Sequence, residues 1–204
     1  MFQMMNEARI GVGANATSIA SAAYYNSLEY ANVRAQGRKL TEKDPNKPQT
    51  PIINHADVKR MLLFQKAIVE GSLSLVAQAC IYYDNWKTIE GAEKEANFLK
   101  LELLTPIVKS YPAEMSILST SAALQIFGGY GYTKEFMAEL FFRETRIHTI
   151  HEGATAIHGM DLLGRKVMMK DGQATMLLMQ EVMGDIEKAK QHESLKPYAE
   201  ALEK

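Results

Sequence analysis

Glu152 stands between His151 and Gly153, with Ile147, Ile150 and Ile157 close by in sequence. A carboxylate held at a chain break among branched apolar side chains loses hydration. Its pKa then rises and it becomes suited to removing a proton from carbon. On an open helix face the same carboxylate is merely solvated. His148, His151 and His158 fall in this stretch together with Glu144 and Glu152, a set that invites a metal ion. Carboxylate-bridged sites in helical bundles use a glutamate with histidine three residues later. No glutamate of this chain has histidine at that spacing, and no cysteine lies near enough to complete a zinc site. No metal is expected.

Gly128-Gly129-Tyr130-Gly131 is the second chemical signal. Phosphate-cradling glycine loops follow a strand and open a helix, whereas this run follows a helical pattern. Two readings remain: a helix terminator, or bare backbone laid against a flat cofactor. Arg34 and Arg38 close the first helical segment, where they either favour the helix dipole or bind a pyrophosphate. Arg9 lies among Met5, Ala8 and Ile10, so a buried guanidinium there requires a carboxylate or a ligand.

These groups need helices to position them. Sustained apolar–polar alternation and Asn-Gly hairpin turns are absent, while three-four spacing recurs throughout. A first helix is expected over about 4–35, rich in small residues from Gly11 to Ala23. A loop carrying Pro45, Pro48 and Pro51 follows over 36–54. Met61, Phe64, Ile68, Leu75, Ala79 and Tyr82 mark a second helix, and residues 84–97 read as a polar connection. Leu101, Leu104, Val108, Tyr111, Met115, Leu118, Ala122 and Gln125 mark a third. Pro106 and Pro112 are expected to kink or divide it. A fourth helix is expected over 134–150, its continuation to 169 after a break at Glu152-Gly153, and a last helix over 175–189, with Pro197 in a polar tail. The expected fold is all-α: a four-helix up-and-down bundle over 1–169, with an extra C-terminal helix opening an extension over 170–204.

Composition closes off other classes. The 204 residues are 47% hydrophobic and carry a formal net charge of −1, so nothing argues for nucleic acid. Charged and amide residues interrupt every apolar run before a membrane span is reached. The lone Cys80 and an N-terminus without a signal-peptide pattern fit a cytoplasmic setting. Twelve methionines suit a soft helical core.

Several segments together resemble the acyl-CoA dehydrogenase family. Gln125 to Tyr132 is similar to its flavin-contacting turn, and Arg143 to Gly153 to the segment around its catalytic glutamate. Asn6-Glu7-Ala8-Arg9 resembles the start of its last domain. Residues 51–63 and Asp161 to Lys166 look like the larger-subunit subgroup typified by 3-methylmercaptopropionyl-CoA dehydrogenase. The resemblance covers about residues 1–170. It implies oxidation of acyl-CoA to trans-2-enoyl-CoA with FAD, and Glu152 as catalytic base. Arg34, Gln125, Phe127, Gly128, Gly129 and Thr155 are implied as cofactor contacts, and Arg9, His151 and Gly153 as substrate contacts. It also implies N-terminal and middle domains that complete the pocket, homo-oligomers, and an electron-transfer flavoprotein or similar acceptor. Two departures stand out: Ala154 replaces a usual threonine, and Gly37 replaces the usual phenylalanine after Arg34. The alternative is a non-catalytic helical oligomerisation or interaction domain of the same ancestry.

Overall fold

The computed structural model describes residues 2–203; Met1 and Lys204, the outer ends of the two expected segments, lie outside them. Three long helices dominate: α1 (Phe2–Val33), α2 (Ala56–Thr88) and α3 (Ala92–Phe127). Shorter ones follow as α4 (Ala138–Thr145), α5 (Thr155–Asp161), α6 (Gln173–Lys190) and α7 (Lys196–Leu202). At 36 residues, α3 spans about 54 Å. Among the described residues, the only β-type pairing is an isolated bridge between Ala35 and Pro51.

The three long helices pack on one another, and α4 with the 3-10 turn Arg146–Thr149 fills the fourth position against α3 and α1. Small residues set the spacing. Ala16, Ala20, Ala23, Ser27 and Ala31 form a fully buried stripe at helical intervals along α1. A Cβ on Gly13 would lie 2.2 Å from the carbonyl oxygen of Val108 on α3, so backbone meets backbone there. Pro112, four residues after Val108, has no N–H to donate to that carbonyl. The Gly13 hydrogen that stands in the Cβ direction faces this carbonyl, a weak C–H···O contact. Ile10, Val76, Ala79, Tyr82, Leu101, Leu104 and Val108 make the core at this level. Ala31, Ile52, Met61, Leu62 and Ile126 make it at the other end of α1. Buried hydroxyls of Thr17, Thr105 and Thr120 return to the carbonyl four residues earlier, at 2.7–2.8 Å.

The extension is tied on by α6. Ala174 packs with Leu99 and Leu103 of α3, and Glu181 accepts from Tyr82 Oη (2.8 Å) and Lys100 Nζ (2.6 Å).

Several boundaries differ from expectation. Pro106 and Pro112 sit inside a continuous α3, because both are buried and tertiary packing offsets the two lost hydrogen bonds. The connection expected over 84–97 shrinks to residues 89–91, since α2 runs on to Thr88 and α3 starts at Ala92. The continuous helix expected over 134–150 is broken: 133–137 are turns and α4 has only 8 residues. Past Glu152-Gly153, α5 passes into a π-helical turn over Leu162–Lys166. Pro197 opens α7 rather than sitting in a tail, as proline can in a first turn.

Gly13→Ala should lower unfolding free energy by about 1–3 kcal/mol, because the helices cannot separate without losing the alanine stripe. Urea denaturation measures this, and an unchanged midpoint would refute the contact.

Candidate functional site

The end of α3 and the end of α1 meet at a cleft of about 680 Å³. Arg34, Gln125, Phe127, Gly128 and Gly129 line it together with Tyr30, Ile52, Val58 and Tyr130. Five of the residues singled out in the sequence are therefore brought together. Phe127 is buried and stacks on Tyr30 with ring centroids 4.3 Å apart, so it acts as the floor. Gly128 adopts φ 60, and a Cβ on either Gly128 or Gly129 would meet no atom within 4 Å. Their backbone is thus open to an incoming group. The Arg34 guanidinium lies 5.3 Å from the centre of the Tyr130 ring, and its Nε is buried with no hydrogen-bond partner among the described residues. An orphaned buried donor beside exposed backbone suits a phosphate. Arg38 is committed elsewhere: it donates to the carbonyls of Pro45 and Lys47 and pins the proline loop.

Glu152 and Gly153 form a separate site. Glu152 has φ 54 and Gly153 φ 96, two successive left-handed residues after the Arg146–Thr149 turn. For a non-glycine residue this costs about 1–2 kcal/mol and needs support from its surroundings. Lys109 on α3, fully buried, donates from Nζ to the Gly153 carbonyl. His158 on α5, 1% exposed, donates from Nε2 to the Glu152 carbonyl at 3.0 Å. Since a carbonyl only accepts, His158 carries its proton on Nε2. A Cβ on Gly153 would lie 2.9 Å from that nitrogen, which adds a packing reason for glycine to the conformational one.

Glu152 itself is exposed, and so are Ile147, Ile150 and Ile157, so this chain does not supply the burial expected of it. His151 directs Nδ1 to the Ile147 carbonyl at 2.9 Å and packs beside His148, ring centroids 5.5 Å apart. The Thr155 hydroxyl donates to Glu114 on α3, which commits its proton and leaves only lone pairs for a ligand. Arg9 points inward to Asp161, Nη1 to Oδ2 3.5 Å. That ion pair lacks hydrogen-bond geometry, since Asp161 Oδ2 and Arg9 Nε have no hydrogen-bond partner among the described residues.

Lys109 and His158 escaped sequence reading as support for the loop. Burial pushes the Lys109 ammonium below its ordinary range, against the nearby Glu114 carboxylate, and Arg9 adds to the lowering. Burial likewise pushes both His148 and His158 below 6.5, with Arg9 a further cause at His158.

The chain belongs to the acyl-CoA dehydrogenase family: residues 1–168 match the model of the acyl-CoA dehydrogenase C-terminal domain. It is 38% identical over 175 residues to a butyryl-CoA dehydrogenase of Syntrophomonas wolfei, covering 85% of this chain and 28% of that protein. It is 39% identical over 178 residues to 3-methylmercaptopropionyl-CoA dehydrogenase of Ruegeria pomeroyi, covering 85% and 29%. The chain therefore spans less than a third of the length of these relatives. Relatives in this family are FAD-dependent flavoproteins. Among solved structures it resembles butyryl-CoA dehydrogenase from Megasphaera elsdenii, with 25% identity, TM-score 0.63 and 79% and 36% of the two chains covered. It shares its fold with Caenorhabditis elegans ACDH-11, with 18% identity, TM-score 0.77 and 92% and 31% covered. Among the described residues no helix is long and apolar enough to cross a membrane.

The histidines carry a pH prediction. His148 and His158 bind protons less readily folded than unfolded, so below 6.5 the unfolded chain takes up more protons and stability falls. The urea midpoint should drop between pH 7 and about pH 5, and His158→Gln should flatten part of that slope. A slope identical in the variant would contradict a buried neutral His158.

Proposed function

We propose that this domain supplies the catalytic base and part of the FAD site of an acyl-CoA dehydrogenase, which oxidises acyl-CoA to trans-2-enoyl-CoA. One observation carries the reading: Glu152, at the position of the family base, is exposed on a loop whose two carbonyls are held by buried donors. Glu152 takes the pro-R α-proton, and the thioester carbonyl acidifies that carbon. Bound FAD supplies the acceptor for the β-hydride. Gly153 and His151 border the thioester, and Arg9 supports that side from beneath through Asp161.

The cleft at Arg34 fits the phosphate-bearing part of FAD, with Gln125 and the backbone of Gly128 and Gly129 as further contacts over the Phe127 floor. The cleft and the Glu152 loop share no lining residue, which supports Arg34 serving the flavin of a second copy in a homo-oligomer. Thr155 borders the flavin of its own chain. The N-terminal and middle domains of the relatives provide the remaining walls, and an electron-transfer flavoprotein or similar protein reoxidises the flavin. Residues 170–204 open the extension of the larger subgroup. Cys80, exposed and free, suits the reducing cytoplasm.

A second reading, a non-catalytic oligomerisation domain, draws on Ala154 and on a Thr155 hydroxyl turned to Glu114. Glu152→Gln in a full-length dehydrogenase carrying this domain separates the two. It should cut turnover by about 10²–10⁴-fold with FAD retained. Near-normal bleaching of the flavin by substrate would refute the base. The 204-residue chain alone should stay colourless after purification with added FAD, because half the cofactor's walls are elsewhere. A stoichiometric flavin spectrum would overturn that.

A further inference from the structure

We propose that Lys109 and His158 are positioning residues that clamp the main chain of Glu152 and Gly153 from two different helices, fixing where the Glu152 carboxylate is presented. The clamp rests on the reading of Glu152 as base only for its catalytic consequence; its geometry stands alone.

Two consecutive left-handed residues do not hold themselves in place, and the segment over 150–154 belongs to no helix. Its two successive carbonyls each receive a buried side-chain donor, one from α3 and one from α5. Position 109 lies on the buried stripe of α3 with Leu101, Thr105, Val108 and Pro112, where methionine or leucine would fill space without a charge. A buried ammonium is costly, and the carboxylates that offset part of that cost, Glu114 and Glu152, act from beyond ion-pair distance, while Arg9 adds to it. Lys109 therefore answers to a specific acceptor, and the Gly153 carbonyl is the one it meets. His158 is constrained in the same way. Its Nδ1 is buried without a partner among the described residues, so the bond from Nε2 to the Glu152 carbonyl is what orients the ring. Gly153 completes the clamp, since any Cβ would push against that nitrogen.

Hydrogen exchange on the 204-residue chain tests the clamp directly. Lys109→Met and His158→Leu should raise exchange at the amides of His151 and Ile157, which bond to the Ile147 and Ala154 carbonyls on either side of the loop, by about tenfold or more, while core amides of α1 and α3 change by less than about threefold. His158→Gln, whose amide nitrogen reaches the place of Nε2, should restore protection to within about threefold of the parent chain. Unchanged exchange in His158→Leu, or no rescue by His158→Gln, overturns the proposal. Should Lys109→Met not fold, the parent chain still decides its half: a nuclear Overhauser contact between the Lys109 ε-protons and Gly153 Hα is expected, and its absence overturns the clamp. In a full-length dehydrogenase carrying the domain, His158→Leu should lower kcat about tenfold or more and leave KM within about twofold. A loosened loop with unchanged kcat would retain the clamp and remove Glu152 as base. A tight loop in His158→Leu, with turnover still lost in Glu152→Gln, would do the reverse.

Discussion

A methyl group on Gly13 would lie 2.2 Å from the Val108 carbonyl, so α1 and α3 touch through their backbones at that level. Pro112 leaves this carbonyl without its helical donor, and a residue with a side chain opposite it would hold the helices apart. The alanine and serine stripe of α1 extends the close approach as far as Ala31. Lys109 is the next residue after Val108. It is buried and donates to the Gly153 carbonyl. One turn of α3 thus bears both on the spacing from α1 and on the Glu152 loop.

Beneath that loop, ionic side chains are linked across several elements. Arg9 faces Asp161, which also receives Arg165, while Lys166 and Asn6 both donate to Glu102. Each of these links joins elements far apart in sequence or adjacent helical turns, so α1, α3 and the π-helical turn are cross-connected by charge as well as by packing. Removing the Glu102 carboxylate would leave the Lys166 ammonium, only 3% exposed, buried without its counter-charge, which costs far more than the pair contributes net. Such pairs tie together helices whose buried faces are rich in alanine; of the methionines expected to soften the core, only Met61 is buried among the described residues.

Much of this was legible in the sequence. Three-four spacing located the long helices, and the glycine run after Phe127 located the end of α3 and one wall of the cleft. Arg34, Gln125, Gly128 and Gly129 line one cleft, whereas burial of Glu152 did not follow from three nearby isoleucines, because sequence neighbours on a turn diverge in space. Prolines 106 and 112 do not divide α3, because propensity counts lost hydrogen bonds and not what surrounds them. The short α4 was overextended because its apolar residues kept helical spacing through turns. Lys109 had a readable signal that went unused: it stands three or four residues from Thr105, Pro112 and Ala113, all buried, on one face of α3. A lysine in an amphipathic pattern is ordinarily solvated, so only the shared face, and not its type, distinguishes it.

One continuous α3 carries both Lys109 and Gln125, sixteen residues apart, or about 24 Å along the axis. The helix is therefore a ruler between the Glu152 loop and the Arg34 cleft. Its two buried prolines leave it one unbroken helix, so the spacing is set by the helix itself. Any molecule held at both ends must match its graduation, and one that is shorter can register with only one mark on a given chain.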